Sequence, residues 1–528
     1  MEKGSDKESS KEKRFQKELA INPRDYQKAI FETCKKDSCL VVLPTGTGKT
    51  LIALMLAIDR FKQFPLEKVL ILAPTRPLAE QHFDSFKKNL PEGWADMQLF
   101  TGKTPADQRK KIWQTAEFIF STPQCIANDL EKYLYKLDEV SLLVVDECHR
   151  CLKNYAYNKV AEKYKQQATN SRVLGLTASP GGDRATITAV CENLGINLVE
   201  IRTRESSDVQ PYLQELEFER VDIEFPPEFE EIRQLLKAIY DKKVNELKNR
   251  KVLFTYPTKT NLLILQKRLF SGNGSSGKSM NNMLAASVCA QAIKVSHAIE
   301  LLETQTISSV IAYMRDLFKQ SEEGKSKGVQ KLVHDPGFAK AYTLATTLSF
   351  EHPKLEKLKE IISTQIKKNP KAKIIIFAQF RETVRKITEI LNKIPGIKAE
   401  NFVGQAIKHH GSGESAKTTG LNQKEQKKLI EKFSSGEINV IAATSIGEEG
   451  LDIPEVNEVI FYEPVPSAIR SIQRRGRTAR LMPGSLKILV TKNTRDEVYH
   501  YSSKAKEKRM HKVIGDIKYE MDNPDFAE

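Results

Sequence analysis

The sequence lacks what a membrane-spanning, secreted or disulfide-stapled protein needs. No apolar run approaches the length that crosses a bilayer, and the N-terminus carries no apolar signal segment. Cysteine is sparse: seven in 528 residues do not make a disulfide framework. One close pair, Cys148-His149-Arg150-Cys151, has the spacing of a zinc half-site or a redox pair. No second C-x-x-C or H-x3-H follows it, and a lone pair does not fill a tetrahedral site. His409-His410 likewise has no further ligand candidates nearby. Acidic side chains are in deficit, 68 against 83 basic, for a net charge of +15 and a pI near 9.2. These absences predict a soluble, cytoplasmic protein. The basic excess favours a polyanionic partner such as nucleic acid, with an anionic membrane surface left open by charge alone.

What is present is enough apolar content, 40%, to give three or four domains a core each. The chain is organised around Leu43-Pro44-Thr45-Gly46-Thr47-Gly48-Lys49-Thr50. The apolar run 39–43 predicts a buried strand, and residues 51–58, apolar and free of breakers, predict a helix starting at the lysine. Strand, glycine loop and helix are the context of a phosphate-binding loop. Glycines let backbone N–H groups turn toward a polyphosphate, and the helix N-terminus adds its positive dipole end. Thr45, Gly46, Thr47 and Gly48 form the cradle, Lys49 reaches the outer phosphates, and the Thr50 hydroxyl ligates the Mg2+ of a nucleoside triphosphate. The strict pattern has glycine where this chain has Leu43. Upstream, Arg24 and Gln27 form an Arg-x-x-Gln pair suited to reading an adenine edge, although a surface helix start looks the same.

Beyond the loop, apolar runs at 69–73, 118–121, 142–145 and 173–176 alternate with helical patterns, predicting a parallel sheet covered on both faces. Their carboxyl ends carry polar punctuation that should share one crevice with the phosphate loop. Asp146 and Glu147 close one of these runs. Asp146 is placed to hold Mg2+ through water, and Glu147 to orient and deprotonate the water that attacks the γ-phosphate. His149 reads equally as a coupler to a neighbouring motif or as a satisfied buried histidine.

Residues 1–18, with six basic and five acidic side chains, predict a disordered tail. From 204 to 350 long helical patterns take over. Leu284, Val288, Ala292, Val295, Ile299 and Leu302 recur as the apolar stripe of a packed helix, and 271–277 is a flexible glycine-serine loop. Residues 242–268 hold eight basic side chains and one acidic, with Phe254 and Tyr256 among them. That pattern fits a phosphate-tracking face with aromatic contacts or a solvated basic helix. A second strand–helix series runs through 374–377, 399–403, 440–443, 459–462 and 486–490, with a mobile polar loop at 408–420 and no phosphate loop of its own. Its end carries Gln473-Arg474-Arg475-Gly476-Arg477-Thr478-Ala479-Arg480. Arg477 and Arg480, three apart, share a face if the segment is helical and are candidate arginine fingers, while Arg474 and Arg475 suit a nucleic-acid backbone.

Collected, these residues resemble the superfamily 2 helicases from residue 21 to about residue 506. The seven motifs of that superfamily are similar to PTGTGKT (44–50), APTRPLAEQ (73–81), DECH (146–149), TAS (177–179), IIIFAQF (374–380), ATSIGEEGLDIP (443–454) and QRRGRTAR (473–480). FVGQA (402–406) and YEPVPSAIRSIQRRGRTAR (462–480) resemble the archaeal Hef helicase and its eukaryotic relative FANCM. The resemblance implies an α/β fold of two RecA-like parallel-sheet domains, 19–203 and 351–506, with an all-helical insertion domain at 204–350 and a tail at 507–528. It implies ATP and Mg2+ at the domain interface, and ATP-driven movement on forked or branched DNA, alongside replication or repair proteins. By position, Gln27 would recognise adenine, Gln473 would place the attacking water, and Gly450 and Asp452 would lie near the ribose. Thr75, Arg76, Gly102, Thr122, Gln379 and Thr444 would touch the nucleic-acid backbone. Ala479 stands where glycine is usual. No E-R-K-x-x-x-D constellation accompanies the motifs, so strand cleavage is not expected from this chain. The alternatives are an RNA-duplex-stimulated ATPase of the Dicer or innate-immune sensor type, and an ATP-gated nucleic-acid clamp.

Overall fold

Short runs of Val, Ile, Leu and Phe become strands buried on both faces wherever helices can cover the two sides of a parallel sheet. The computed structural model describes residues 21–271, 280–324, 326–404, 406–408, 417–444, 454–467, 470, 472, 474, 478 and 483–523. Its first sheet contains β1 (Cys39–Val42), β2 (Lys68–Leu72), β3 (Met97–Phe100), β4 (Phe118–Ser121), β5 (Val140–Asp146), β6 (Val173–Thr177) and β7 (Leu198–Ile201). The order is β3-β4-β2-β5-β6-β1-β7, and every registered pair is parallel. All residues of β1, β2, β4, β5 and β6 are buried, between an apolar layer on either face. This order has a chemical consequence. The carboxyl ends of β5, β6 and β1 are neighbours, and those of β2, β4 and β3 continue the row on the other side of β5.

The second sheet contains β8 (Leu216–Ile223), β9 (Ile374–Phe377), β10 (Ala399–Phe402), β13 (Val440–Ala443), β14 (Glu458–Phe461) and β15 (Gly484–Thr491), in the order β10-β13-β9-β14-β15-β8. Between them a short antiparallel pair, β11 (Ala406–Lys408) and β12 (Lys417–Thr419), frames the stretch expected to be a mobile loop. The span 204–350, expected to be wholly helical, departs from that expectation at β8, which pairs with β15 over its whole length. Both of its faces carry charge, so it reads as surface: Glu219 pairs with Lys487, and Arg220, on the opposite face, with Glu497. The helical domain is therefore inserted between the first and second strands of the second domain, not between two finished domains.

That insertion packs Pro227–Asn249, Lys259–Ser271, Met280–Thr304, Ile307–Glu322, Lys327–Val333 and Pro336–Thr347 around two apolar cores. Val288, Ala292, Val295, Ile299 and Leu302 are buried as the stripe requires, whereas Leu284 is 40% exposed at the outer end of its helix. The expected boundary at residue 506 falls inside one helix, Arg495–Asp522, of 28 residues. Such a helix is about 42 Å long. At its start Arg495 Nη1 donates to Ser296 O of the bundle at 2.8 Å. Further along, Met510, Ile514 and Ile517 enter the core of the first domain, and Lys518 reaches Glu200 at 3.1 Å. Among the described residues no helix is long and apolar enough to cross a membrane. Residues 1–18, Gly272–Gly277 and His409-His410 lie outside the described residues.

Candidate active site

The phosphate loop leaves β1 and turns at two left-handed glycines, Gly46 (φ 81°) and Gly48 (φ 83°), before the helix Lys49–Gln63 begins. A side chain at Gly48 is doubly excluded, since its Cβ would lie 2.3 Å from Gln27 Nε2. Leu43, the departure from the strict pattern, lies just past β1 and continues its hydrogen bonding: its N–H donates to Thr177 O at 3.1 Å and its side chain is fully buried. A position on the β1–β6 ladder has no need of glycine's freedom. Lys49 Nζ donates to Leu43 O at 3.0 Å and lies 3.5 Å from Pro44 O, and Thr47 Oγ1 donates to Pro44 O at 2.7 Å.

The helix Asp25–Lys36 backs this loop. Tyr26 Oη and Gln27 Nε2 both donate to Thr47 O, at 2.6 and 3.0 Å. Gln27 Oε1 accepts from the Arg24 N–H at 2.8 Å, and the Arg24 guanidinium lies 5.2 Å over the Tyr212 ring. The structure thus brings Arg24 and Gln27 to the loop. Tyr26 joins them, a contact that its apolar position in a helical pattern did not signal.

One strand away, Asp146 ends β5 and Glu147 sits in the left-handed region at φ 49°. Non-glycine residues held there carry strain, which accumulates at functional sites. Burial alone would raise the Asp146 carboxyl, but the His82 hydrogen bond and the charges of His82 and Lys49 together hold it below the usual carboxylate range. His82 Nε2 lies 2.9 Å from Asp146 Oδ2. Tyr157 Oη donates to the Asp146 carbonyl at 2.7 Å, and burial pushes its phenol well up, keeping it a donor. Neither His82 nor Tyr157 belongs to a motif that marks it in the sequence. His82 directly follows the APTRPLAEQ motif on the helix Arg76–Asn89, and that adjacency was the available signal.

Glu147 Oε2 is enclosed, with no hydrogen-bond donor aligned on it among the described residues. His149 Nδ1 is 3.2 Å away, but it also lies 3.1 Å from Thr177 Oγ1 at the end of β6. Thr177 Oγ1 in turn accepts from the Ser179 N–H at 3.1 Å. His149 therefore joins DECH to TAS. Cys148 and Cys151 are both buried core thiols, and burial pushes both up. Among the described residues no group of three or more His, Cys, Asp or Glu side chains gathers as a metal site. A nucleotide-borne Mg2+ requires few protein ligands, and Thr50 in the first turn of the loop helix with the low-pKa Asp146 carboxylate supplies suitable hard oxygens.

In the first sheet the expected nucleic-acid residues fall on the strand ends on the other side of β5. Thr75 caps the helix after β2, Gly102 follows β3, and Thr122 caps the helix after β4. In the second sheet Gln379 and Thr444 follow the adjacent strands β9 and β13. Arg76 is paired with Glu80 at 2.6 Å and lines a cleft of about 1070 Å3 between its helix and the helix Gln423–Ser435 of the second domain. A second cleft, of about 430 Å3, is bordered by Pro44, Thr45 and Ala178 on one side and by Ile472, Lys504 and His511 on the other. Gln473, Arg477, Arg480, Gly450 and Asp452 lie outside the described residues. Arg474 overturns an expectation: it is fully buried, with its guanidinium 5.0 and 5.5 Å from the Phe377 and Phe461 rings. It belongs to the second domain's core and cannot contact a nucleic-acid backbone.

Three family profiles match the chain: DEAD/DEAH box helicase over residues 24–187, helicase conserved C-terminal domain over 353–482, and a helical bundle named for an ATP-dependent RNA helicase over 228–352. The crystal structure of the Pyrococcus furiosus Hef helicase domain superposes with a TM-score of 0.67 at 43% identity, covering 91% of this chain and 98% of that one. ATP-dependent DNA helicase mph1 of Neurospora crassa is 34% identical over 493 residues, 90% of this chain and 42% of that protein. A Methanocaldococcus jannaschii protein, provisionally named an ATP-dependent RNA helicase, is 38% identical over 505 residues, 95% of this chain and 62% of that protein. A nucleotide loop facing a DECH carboxylate pair, on the first of two parallel sheets, defines a helicase core. The chain belongs to the superfamily 2 DEAD/DEAH box helicases, in the group of the Hef helicase domain. It spans less than two thirds of the length of those two curated relatives.

Proposed function

We propose that the protein is an ATP-dependent DNA helicase or translocase acting on forked or branched DNA. One observation carries the reading: the ends of β1, β5 and β6 gather Lys49, a low-pKa Asp146, and Glu147 joined through His149 to Thr177. A triphosphate draws Lys49 Nζ off the Leu43 and Pro44 carbonyls and onto its outer oxygens. Thr50 and Asp146 would hold Mg2+, which when bound neutralises charge on the phosphates. Glu147, enclosed at its Oε2, takes the proton from the attacking water. His149 passes any shift of Glu147 to TAS, whose Ser179 Oγ contacts Met510 Sδ of the C-terminal helix at 2.8 Å. Gln27 is positioned beside the loop for adenine, and Gln473, Arg477 and Arg480 complete the site from the second domain, with Gly450 and Asp452 at the ribose. Thr75, Arg76, Gly102, Thr122, Gln379 and Thr444 hold the backbone of the bound strand, which fixes position without reading base sequence.

The DNA preference rests on the names of the mph1 and Hef relatives, and the RNA alternative on the Methanocaldococcus one. Steady-state ATP hydrolysis with forked DNA, linear duplex DNA, single-stranded DNA and RNA duplex tests the choice. The fork is expected to stimulate most, with strand displacement that requires ATP. Stronger stimulation by RNA duplex would favour the RNA-directed reading, and stimulation without displacement would favour a clamp.

A further inference from the structure

The helical insertion presents a second feature that the nucleotide site does not use. Between the helices Pro227–Asn249 and Lys259–Ser271 runs a connector carrying Phe254, 79% exposed, and Tyr256, 81% exposed. A single exposed aromatic requires no explanation, but two on one short connector hold a large apolar area in water. Mobility does not account for it, because the connector is pinned along its length. Arg268 Nη2 donates to Val252 O at 2.7 Å, and Leu253 is buried beneath it in the bundle's outer core. Asn261 Nδ2 and the Thr258 N–H both donate to Tyr256 O at 2.8 Å, and Tyr240 Oη donates to Pro257 O. The backbone is fixed while the two rings stand out.

The surroundings select the partner. Lys248 and Lys251 are exposed immediately before Phe254, and Lys267 and Arg268 are exposed on the next helix. Across 242–268 there are eight basic residues and only Glu246 of opposite sign. Arg250 engages Glu246 at 2.9 Å and Lys259 engages Glu300 at 2.5 Å, while Lys248, Lys251 and Lys267 stand exposed beside the two rings. Exposed aromatic faces among cations match an unpaired base, which stacks on the ring while its phosphates meet ammonium and guanidinium groups.

We propose that Phe254 and Tyr256 form a base-stacking platform that holds unpaired nucleotides at the branch of the nucleic acid. This deepens the function proposed above and rests on it. The platform acts on bases outside the two sheet domains, so it sets which structures are engaged and leaves ATP chemistry untouched. Each stacked base is commonly worth about 1–3 kcal/mol, and losing one such contact weakens binding on the order of 5- to 150-fold.

Phe254→Trp makes the test direct, because the protein's own Trp94 and Trp113 are buried. The exposed indole is expected to be quenched on titration with a fork bearing single-stranded arms, and to respond little to blunt duplex. Phe254→Ala with Tyr256→Ala is expected to raise the fork concentration giving half-maximal ATPase stimulation by at least 5-fold, with unstimulated hydrolysis unchanged. If fork DNA stimulates hydrolysis but the indole does not respond and the double variant behaves as wild type, the platform is overturned while the helicase stands. If RNA duplex with an unpaired overhang, and not DNA, quenches the indole and stimulates hydrolysis, the platform stands and the DNA assignment falls.

Discussion

At the scale of single residues, burial decides which charges are chemical and which are structural. Glu463 is 1% exposed, and burial pushes its carboxyl up to about 7 despite the opposing charges of Arg474 and Lys354. An acid whose pKa is raised on folding favours the folded state while both states are protonated, and that stability is lost as pH climbs from about 4.5 to about 7. The shift corresponds to about 3 kcal/mol. Glu463→Gln is therefore expected to flatten the fall of the urea midpoint between about pH 5 and 7, read by fluorescence at a series of pH values. The acid proposed as the base leads to a different expectation. Glu147→Gln should bind ATP normally and lose turnover by about 100-fold or more, checked by nucleotide titration beside a hydrolysis assay. Glu147 and Lys49 were legible because each sits in a short motif of fixed chemistry. His82 and the buried Arg474 were not, because a partner far along the chain assigns their roles, and Tyr157 was not, because it acts on a backbone carbonyl that no motif marks.

Whole elements were legible when helices covered both faces. Cys39–Val42 and Ile374–Phe377 are unbroken apolar runs because parallel strands in a sheet interior meet no water. Edge strands carry a weaker mark: β3 is a four-residue run that is only half-buried over Met97, Gln98 and Leu99, and β8 exposes charged residues. Junctions between elements also escaped notice. Lys354, at the start of the helix Pro353–Lys368, meets Asp496 of the C-terminal helix at 2.5 Å with both side chains fully buried. Lys354 Nζ also donates to Thr304 O of the bundle at 3.0 Å, so one ammonium ties three elements. Lys354→Met leaves Asp496 buried without its cation and is expected to cost about 3–5 kcal/mol, read by denaturant unfolding. Adding Asp496→Leu should recover part of that loss.

Across the molecule, the residues proposed for nucleotide sit at one set of strand ends and those proposed for nucleic acid at strand ends of both sheets, so coupling them calls for a mechanical link. The C-terminal helix supplies one, leaving the second sheet beside the bundle and ending in the first domain's core. Met510→Ala removes its contact with Ser179 and is expected to leave basal hydrolysis near wild type. Strand displacement per ATP should fall about 2- to 30-fold, the equivalent of about 0.5–2 kcal/mol of coupling, measured by running both assays on the same fork. The basic surface predicts a further property: affinity for DNA should drop steeply between about 50 and 200 mM salt as counterions are released, which a binding titration at each salt concentration checks.

The insertion between β8 and β9 also governs how the molecule is born. Glu219 and its partner Lys487 are 268 residues apart. At roughly 5–20 residues per second, a ribosome takes roughly 15–50 s to deliver that partner. Throughout the wait β8 is a strand without a sheet, the kind of edge that recruits a neighbouring nascent chain. Glu217, Glu219, Arg220 and Asp222 guard it, so the charges that hid this strand as surface also protect the unfinished polypeptide from aggregation.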